Sequence, residues 1–425
     1  MIDEPIFKFL SYYFDKETYT AVFMYQGVDH QFFTEKITFK KPADHYLTPD
    51  FTLLDRALQL AFILAGTSYY KAHPTAQVAA DFPIDEFQAG FFNLVFQEGL
   101  SQFAFENRLT RADLAHFIPT PGYTAPNPLE YKGSGILCLQ SGGKDSLLTA
   151  ALLNKKQTPF TPWYLSHNGT YPYVLDHLIE DTKATIATRI IDLEQLKQTK
   201  GLNGHIPATY ITQALALVQA ILLRYDTILT SIGQEGNEPH SWIDNLPVNH
   251  QWSKTWAAEL YFAEYVKRYL SPNLKVGSML RGFSELYIAE LFTRECWGKF
   301  RFSFSSCNVA NYKQEADNQH LTWCGKCPKC ANSYLLFAPF IAPAELSQFF
   351  NADLFSSKKL RRTFKGLLGI DGEMKPFECV SSIEELRSAY HRRQPGYAEL
   401  PFPVPLSNFD YRTTYPVQDF VLQYL

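Results

Sequence analysis

GILCLQSGGKDSLLTAALLNKK, residues 135–156, is the stretch that decides the fold. It begins with an apolar, β-prone run, passes through a loop of serine and glycine, and ends in a leucine- and alanine-rich run typical of a helix. A glycine-bearing loop at a helix N-terminus presents backbone N–H groups at the positive end of the helix dipole. The stretch therefore predicts a strand–loop–helix unit that binds an anion, and the expected anion is a pyrophosphate group.

Short apolar runs of the same kind recur along the middle of the chain, separated by helical patterns. They are FTPWYLS (160–166), ATRIIDL (187–193), DTILTSI (226–232) and NLKVGS (273–278). Alternation of strands and helices predicts an α/β core, a doubly wound parallel sheet with crossover helices.

The regions on either side of this core have different patterns. Residues 19–40 alternate as hairpin strands do, and helical spacing in 50–65 and 86–106 completes a predicted α+β region. Segments rich in proline or glycine at 118–135 and near 339–346 mark two boundaries. The predicted domains are therefore 1–130, 131–342 and a small C-terminal extension, 343–425.

The loop SGGKDS lacks the G-x-x-x-x-G-K-[ST] spacing of a Walker A motif. It resembles the SGGxDS loop of the PP-loop ATP pyrophosphatases, which cleave ATP between the α and β phosphates and adenylate a substrate. The resemblance implies an adenine nucleotide α-hydrolase-like core with ATP phosphates held by Ser141, Gly142, Gly143 and Ser146. It places Asp145 near magnesium, which favours phosphate oxygens and one carboxylate. Lys144 would neutralise the leaving group; the alternative for Lys144 is a solvated helix-start lysine.

Ligands of such sheets lie beyond the carboxyl ends of the strands. The segments 166–169 and 233–238 follow two of the predicted strands, and both are polar and contain glycine. We therefore expect them to line the same crevice and assign His167 to the ATP site. The alternative for the whole loop is a serine- and glycine-rich turn that only caps a helix.

Four of the seven cysteines form a second pattern. Cys324, Cys327 and Cys330 have C-x2-C-x2-C spacing, and Cys307 lies upstream. Four thiolates predict a closed, structural zinc site. An iron–sulfur cluster and a metal-free turn are the alternatives, with Cys307 then a core residue. The three other cysteines, Cys138, Cys296 and Cys379, are predicted to be ordinary reduced thiols.

Composition excludes several classes of protein. The 39 Lys and Arg against 43 Asp and Glu give a net charge of −4, which makes nucleic acid an unexpected partner. An odd cysteine count and an acidic rather than basic N-terminus indicate reduced thiols and a cytoplasmic location. No apolar run reaches the roughly 18 residues that span a bilayer, so no membrane partner is expected. The runs 57–66 and 214–223 are predicted to be buried helices.

Segments from all three predicted domains resemble the bacterial UDP-N-acetyl-α-D-muramoyl-L-alanyl-L-glutamate epimerases. They are AGTSYYKAHPT (65–75), FQEGLSQFAFENRL (96–109), QSGGKDS (140–146), VNHQWSKTWAAE (248–259), RGFSELYIAELF (281–292), WCGKCPKCANSYLLFAPF (323–340) and KPFECV (375–380). The resemblance implies that ATP adenylates the terminal L-glutamate of UDP-N-acetylmuramoyl-L-Ala-L-Glu with release of diphosphate. Epimerisation at Cα and hydrolysis to AMP then give the D-glutamate form for peptidoglycan biosynthesis. Gln102 departs from the family, which has glutamate there, so Gln102 receives no catalytic role.

In this reaction activation has to precede proton transfer, because deprotonation beside a free carboxylate would add a second negative charge to that group. The predicted acid–base groups are His250, Lys254, Glu235 and Glu238. His250 is favoured because histidine titrates near neutral pH; the alternative for it is a loop-capping role. The predicted substrate contacts are Asn237 to the peptide, Arg281 to the glutamate side-chain carboxylate and Lys71 to the uridine diphosphate. A salt bridge to Glu285 is the alternative for Arg281.

Two other activities of the superfamily stay open. The anion loop with the downstream cysteines also resembles 7-cyano-7-deazaguanine synthase, a much shorter enzyme that adenylates a carboxylate and requires ammonia. An RNA-modifying PP-loop enzyme is the other alternative. The basic runs 358–365 and 391–393 favour it, and the net charge does not.

Overall fold

The computed structural model of the chain describes residues 5–43, 49–180, 182–243, 245–312 and 319–425. The strands are β1 (Ile6–Asp15), β2 (Thr20–Gln26), β3 (Phe32–Thr38), β4 (Gln77–Ala80), β5 (Ile136–Leu139), β6 (Thr161–Ser166), β7 (Thr185–Ile190), β8 (Thr227–Thr230), β9 (Ser241–Ile243), β10 (Leu246–Val248) and β11 (Lys275–Ser278). The α-helices are α1 (Phe51–Tyr70), α2 (Glu86–Gln97), α3 (Ser101–Glu106), α4 (Lys144–Lys155), α5 (Leu193–Gln198), α6 (Ala208–Leu223), α7 (Trp256–Tyr265), α8 (Glu285–Glu295), α9 (Trp297–Phe300), α10 (Asn308–Asn311), α11 (Pro328–Phe337), α12 (Pro343–Phe350), α13 (Arg361–Leu368) and α14 (Ile383–His391).

One mixed sheet of nine strands organises the part of the chain that the structure describes, in the order β11-β8-β5-β6-β7-β3-β2-β1-β4. Neighbouring strands from β11 to β7 are parallel, which confirms the five strands predicted for the middle of the chain. Strand β7 pairs antiparallel with β3, and β3, β2 and β1 continue antiparallel. The hairpin predicted within 19–40 is therefore confirmed as β2 and β3.

The side chains of β5 alternate between two hydrophobic cores. Leu137 belongs to the core that contains α1 and α6, whereas Ile136 and Cys138 belong to the core that contains α4, α8 and α11. Helices thus cover both faces of the parallel strands, as the sequence predicts. Strand β5 lies between β6 and β8, so the chain order reverses there. The carboxyl end of β5 is the position at which such a sheet binds its ligand.

The two most apolar runs are buried helices, as predicted. Residues 57–66 lie in α1, which begins after Asp50, whose carboxylate accepts the N–H groups of Thr52 and Leu53. Residues 214–223 lie in α6, which ends at Arg224 in the left-handed conformation. Within the described ranges, no helix is long and apolar enough to cross a membrane.

The antiparallel strands join the parallel ones around a buried ion pair. Arg189 of β7 donates from Nε (2.7 Å) and Nη2 (3.1 Å) to the Glu35 carboxylate of β3, and it also bonds Ser68 of α1. Loss of one partner of such a buried pair costs about 3–5 kcal/mol. The N-terminal strands therefore extend the core sheet, and the domain boundaries at 130 and 342 stay predictions.

The C-terminal region is helical. Helices α12, α13 and α14 contribute Leu346, Phe364 and Leu386 to the core that contains α4. The last segment returns to the sheet, where Gln418 Nε2 donates to the Val276 carbonyl of β11 (2.9 Å). The C-terminal region thus covers the same face of the sheet as α4.

Candidate active site

The predicted anion loop, residues 141–146, connects the carboxyl end of β5 to α4. Ser146 Oγ accepts the Ser141 N–H (3.2 Å) and donates to the Gly143 carbonyl (3.2 Å), which closes the loop. Gly143 is the N-cap of α4, and no side chain there bonds the first N–H groups of the helix. These groups are the donors that a phosphate at a helix N-terminus uses.

Gly142 occupies the tightest position of this anion loop. Its φ is +77°, and a Cβ built on it would lie 2.5 Å from a Leu321 methyl carbon, so the position requires glycine. Two residues near the cysteine cluster stabilise the anion loop through hydrogen bonds. The Ser305 N–H donates to the Gly142 carbonyl (3.3 Å), and the Tyr312 hydroxyl donates to the Ser141 carbonyl (3.4 Å).

Lys144 is buried, which removes the solvated alternative. Its ammonium contacts the carboxylates of Asp145 and Glu285, the first residue of α8. Burial alone would lower the pKa of Lys144, but the two carboxylates outweigh burial and hold the pKa above its ordinary value. A fixed positive charge therefore lies at the start of α4, as the predicted role at the leaving group requires.

Two buried carboxyl groups meet beside this lysine. Burial raises the pKa of Glu285 well above its ordinary value. Burial acts in the same direction on Glu235, but Lys254, whose Nζ lies 3.3 Å from Glu235 Oε1, and a hydrogen bond with Glu285 hold the pKa of Glu235 below its ordinary value. The pKa values of the two neighbouring carboxyl groups are thus shifted in opposite directions.

Lys254 also belongs to a group of five basic residues that we call the basic cluster: Lys71, His205, His240, His250 and Lys254. The rings of His205 and His250 are 4.3 Å apart. His250 Nδ1 lies 2.6 Å from Gln102 Oε1, and because an amide oxygen only accepts, Nδ1 carries the hydrogen.

Burial and neighbouring basic groups lower the pKa values of three members of this cluster, His205, His240 and Lys71. Burial, His250 and Lys71 hold the pKa of His205 well below its ordinary value. Burial, Lys375 and His250 lower the pKa of His240 to about 3. Burial also lowers the pKa of Lys71 to about 8. A concentration of basic groups of this kind favours an anionic substrate group.

The structure brings His250, Lys254 and Glu235 together but engages the other predicted residues with the protein itself. Asn237 Oδ1 accepts the Trp256 N–H (3.0 Å). Glu238 Oε2 accepts from Lys375 Nζ (3.2 Å) and from the Ile383 N–H (3.0 Å). Together with the first turn of α14, Asn237 and Glu238 line a cavity of about 610 Å³. Their acid–base and peptide-binding roles stay predictions.

Arg281 is fully buried and pairs with Glu259 (2.8 Å) rather than with Glu285. It also donates to the Lys254 carbonyl (2.9 Å), so it positions the turn that carries Lys254. Its contact with the substrate carboxylate stays a prediction. His167 is exposed just after β6, beside the carboxyl end of β5, and its contact with ATP likewise stays a prediction.

The four predicted cysteine ligands form one group, with sulfur atoms all within 4.8 Å of one another. The shorter separations are 3.6 Å for Cys307 to Cys327, 3.7 Å for Cys324 to Cys330 and 3.5 Å for Cys327 to Cys330. Sulfurs at about 2.3 Å from a tetrahedral zinc ion would be about 3.8 Å apart. The group therefore has the dimensions of a metal site such as a closed zinc centre.

The backbone near these cysteines is also compatible with a metal site. The Ala310 N–H points to the Cys307 sulfur and the Lys326 N–H to the Cys324 sulfur, both at 3.4 Å. Gly325 has a φ of +64°, and a Cβ there would lie 2.5 Å from the Phe350 carbonyl oxygen. Only glycine fits at position 325, directly after the first cysteine of the run.

Sequence reasoning missed two residues of the site. Glu285 was considered only as a partner of Arg281, yet its carboxyl group contacts Lys144 and faces Glu235. Cys379 was grouped with the ordinary thiols, yet its thiol lies beside His250 and Lys254. No sequence spacing indicates these contacts, because the Glu285–Lys144 pair and the approach of Cys379 to His250 and Lys254 each join segments more than a hundred residues apart. The residue type of Cys379, beside the acid of KPFECV, was the available signal.

Comparisons with known proteins agree along most of the chain. The MurL N-terminal domain matches residues 3–279, and the MurL C-terminal domain matches residues 303–398. Proteins named UDP-N-acetyl-alpha-D-muramoyl-L-alanyl-L-glutamate epimerase from Micromonospora sp. and Salinispora tropica are each 32% identical. The alignments cover 89% of this chain and 84% and 82% of the relatives. The protein of that name from Xanthomonas oryzae pv. oryzae is 31% identical over 80% of this chain and 74% of its own length.

Proposed function

The chain belongs to the MurL family, and from that premise we propose that it converts the terminal L-glutamate of UDP-N-acetylmuramoyl-L-Ala-L-Glu to D-glutamate, with consumption of ATP, for peptidoglycan synthesis. The observation that carries the proposal is the position of Lys254. The Lys254 Nζ bonds Glu235, the carboxylate next to the anion loop. Lys254 is also a member of the basic cluster. An anion-binding loop and a group of acid–base residues therefore share one crevice.

The first half of the reaction uses the anion loop of a PP-loop ATP pyrophosphatase core. An oxygen of the substrate α-carboxylate attacks the α-phosphorus of ATP, the bond to the β-phosphate breaks, and diphosphate leaves. The N–H groups of α4 and the Lys144 ammonium stabilise the charge on the departing diphosphate. Asp145 is the carboxylate that would hold magnesium, which supplies further charge neutralisation when bound.

The second half uses the basic cluster. A carboxylate resists loss of the neighbouring Cα proton, whereas a glutamyl adenylate accepts the electron pair into its carbonyl group. The predicted proton-transfer groups are His250, Lys254, Glu235 and Glu238. Protonation on the opposite face gives the D configuration, and water releases AMP. We assign the Lys71 ammonium, a member of the same cluster, to the diphosphate of the substrate.

The four-cysteine site has a structural role in this proposal. Its four ligands leave no open position for a substrate, and the segment that carries Cys307 also holds Gly142 through Ser305. We therefore assign the metal, expected to be zinc, to support of the anion loop. The cytoplasmic location stays a prediction.

Incubation of the protein with ATP, magnesium and UDP-N-acetylmuramoyl-L-Ala-L-Glu in deuterated water tests the proposal. We expect AMP, diphosphate, D-glutamate and deuterium at the glutamate Cα, all dependent on ATP. Absence of exchange at Cα would contradict the proposal. AMP formed only with a deazapurine carboxylate and ammonia, or only with tRNA, would replace it with one of the other superfamily activities.

A further inference from the structure

Cys379 lies on a segment, residues 375–380, that crosses beside the basic cluster. Gln251 Nε2 donates both to the Val380 carbonyl and to the Glu235 carbonyl, each at 3.0 Å. One amide group therefore ties the residue after Cys379 to the loop that carries Glu235. Cys379 itself is partly exposed.

The opposite side of this segment rests on the metal-binding region. Glu378 Oε2 accepts from Asn308 Nδ2 (3.2 Å), and Asn308 Oδ1 accepts from Lys329 Nζ (3.3 Å). Asn308 follows Cys307 and Lys329 precedes Cys330. The backbone around Cys379 is thus fixed from both sides.

Three basic side chains surround the Cys379 thiol. His250, Lys254 and Lys329 each favour the ionised form of the thiol, and the two lysines do so through their positive charge. Burial alone would raise the pKa of Cys379, but the three basic groups outweigh burial and hold the pKa well below its ordinary value. This environment therefore favours the thiolate over the neutral thiol.

Two other cysteines outside the metal site show the reverse. Burial raises the pKa of Cys138 and of Cys296 to about 12 each, because no cation compensates for their removal from water. The ring of Phe377, two residues before Cys379, lies 5.4 Å from the ring of His240, which places this segment beside the basic cluster. Gln251 lies next to the same segment. It is only 1% exposed, and its Oε1 has no hydrogen-bond partner among the described residues, although its Nε2 bonds the carbonyl next to Cys379. A buried acceptor of this kind is expected to be satisfied by an ordered water or by another bound molecule.

We propose that Cys379 is the catalytic base that removes the Cα proton of the glutamyl adenylate. The inference rests on the proposed epimerase function and names the group at one face of the substrate carbon. The Cα–H bond breaks, the S–H bond forms, and the electron pair of carbon moves into the acyl carbonyl as an enolate. No oxidant, reductant or covalent intermediate is required.

The proton then leaves through His250. Its Nδ1 hydrogen is fixed on Gln102, so Nε2 is the nitrogen available to take the proton from the thiol and pass it to solvent. The enolate takes a solvent-derived proton on the opposite face, which completes the inversion. His250 is in this scheme a positioning and relay residue, not the base itself.

The test compares Cys379→Ser and Cys379→Ala with the matched control Cys296→Ser, which removes a buried thiol outside the site. Substrate-dependent exchange of labelled diphosphate into ATP reports adenylation, and deuterium at Cα reports proton transfer. We expect adenylation by both Cys379 variants to stay within about threefold of the wild type and Cα exchange to fall about a thousandfold, the range of a general base. The control is expected to keep both.

Each other outcome has a definite meaning. Cα exchange at the wild-type rate in the Cys379 variants would overturn the inference, and so would loss of both half-reactions or a glutamyl thioester on Cys379 in the intact mass. If the wild type itself shows neither half-reaction, the proposed function fails instead. A second measurement is alkylation by iodoacetamide at pH 6.5. We expect Cys379 to react at least about tenfold faster than Cys138 and Cys296, and equal rates would contradict its ionised state.

Discussion

The anion loop and the surroundings of Cys379, which both lie near Lys254, are built in opposite ways. The loop is six consecutive residues between β5 and α4, and most of its internal hydrogen bonds join residues two to five apart. Cys379 instead lies near Lys254, Lys329 and His250, which come from two segments of the chain that are distant from it in sequence. In the proposed reaction the loop would serve ATP activation, and the surroundings of Cys379 would serve proton transfer.

The two parts of the site also differ in the substitutions that would disturb them. The loop depends on backbone geometry, such as the positive φ of Gly142, and on a helix N-terminus. The Cys379 part depends on side-chain charges brought together by packing. A variant in one part should therefore leave the other half-reaction measurable, except where a support common to both parts is removed.

The largest expected effect follows from such a common support. Cys327→Ser should lower the bound metal from one ion per chain to a small fraction and cost several kcal/mol of folding free energy, because binding of a structural metal is coupled to folding. Both half-reactions should fall, since the same region holds Gly142 through Ser305 and carries Lys329. Elemental analysis and thermal unfolding measure the change, with Cys296→Ser as the control. A metal-free variant with normal stability and activity would show that the cysteines do not support either part.

A smaller and selective effect is expected at the anion loop. Ser146→Ala removes the hydroxyl that bonds Ser141 and Gly143, so diphosphate–ATP exchange should fall about a hundredfold, as when a preorganised donor to a developing charge is lost. Iodoacetamide labelling of Cys379 should stay within twofold of the wild type. If labelling and adenylation fell together, the two parts of the site would not be independent.

The smallest effect is a pH dependence of substrate affinity. Burial lowers the pKa of Lys71 to about 8, so the ammonium is charged below pH 8 and neutral above it. The KM for the UDP-linked substrate should therefore rise about tenfold between pH 7 and pH 9.5, the value of one charge-assisted hydrogen bond. In Lys71→Met the KM should be high and nearly constant across this window. A wild-type KM without pH dependence would place the diphosphate elsewhere.

Features formed by residues close together in the sequence could be predicted from it. The strand, loop and helix at 135–156 are local, so periodicity and glycine placement predict them, and the five parallel strands follow from the alternation of elements. The close spacing of Cys324, Cys327 and Cys330 likewise indicates a metal site before any fold is known.

Contacts between distant segments are what the sequence could not supply. The alternating pattern of residues in β3 predicts a strand but not its pairing with β7. The buried Glu35–Arg189 ion pair links these two strands. Glu285 lies beside Lys144 only because α8 packs near α4. The ionisation of Cys379 depends on charges that no local pattern records.

The central claim is that a glutamyl adenylate forms before the Cα proton moves, and labelled oxygen tests this claim most directly. The substrate is prepared with ¹⁸O in the α-carboxylate of its terminal glutamate and is turned over with ATP in ordinary water. Attack of that carboxylate on the α-phosphorus transfers one labelled oxygen to the AMP that water later releases. We predict AMP with one ¹⁸O per D-glutamate formed. AMP without label, or D-glutamate that keeps both labelled oxygens, would contradict the account.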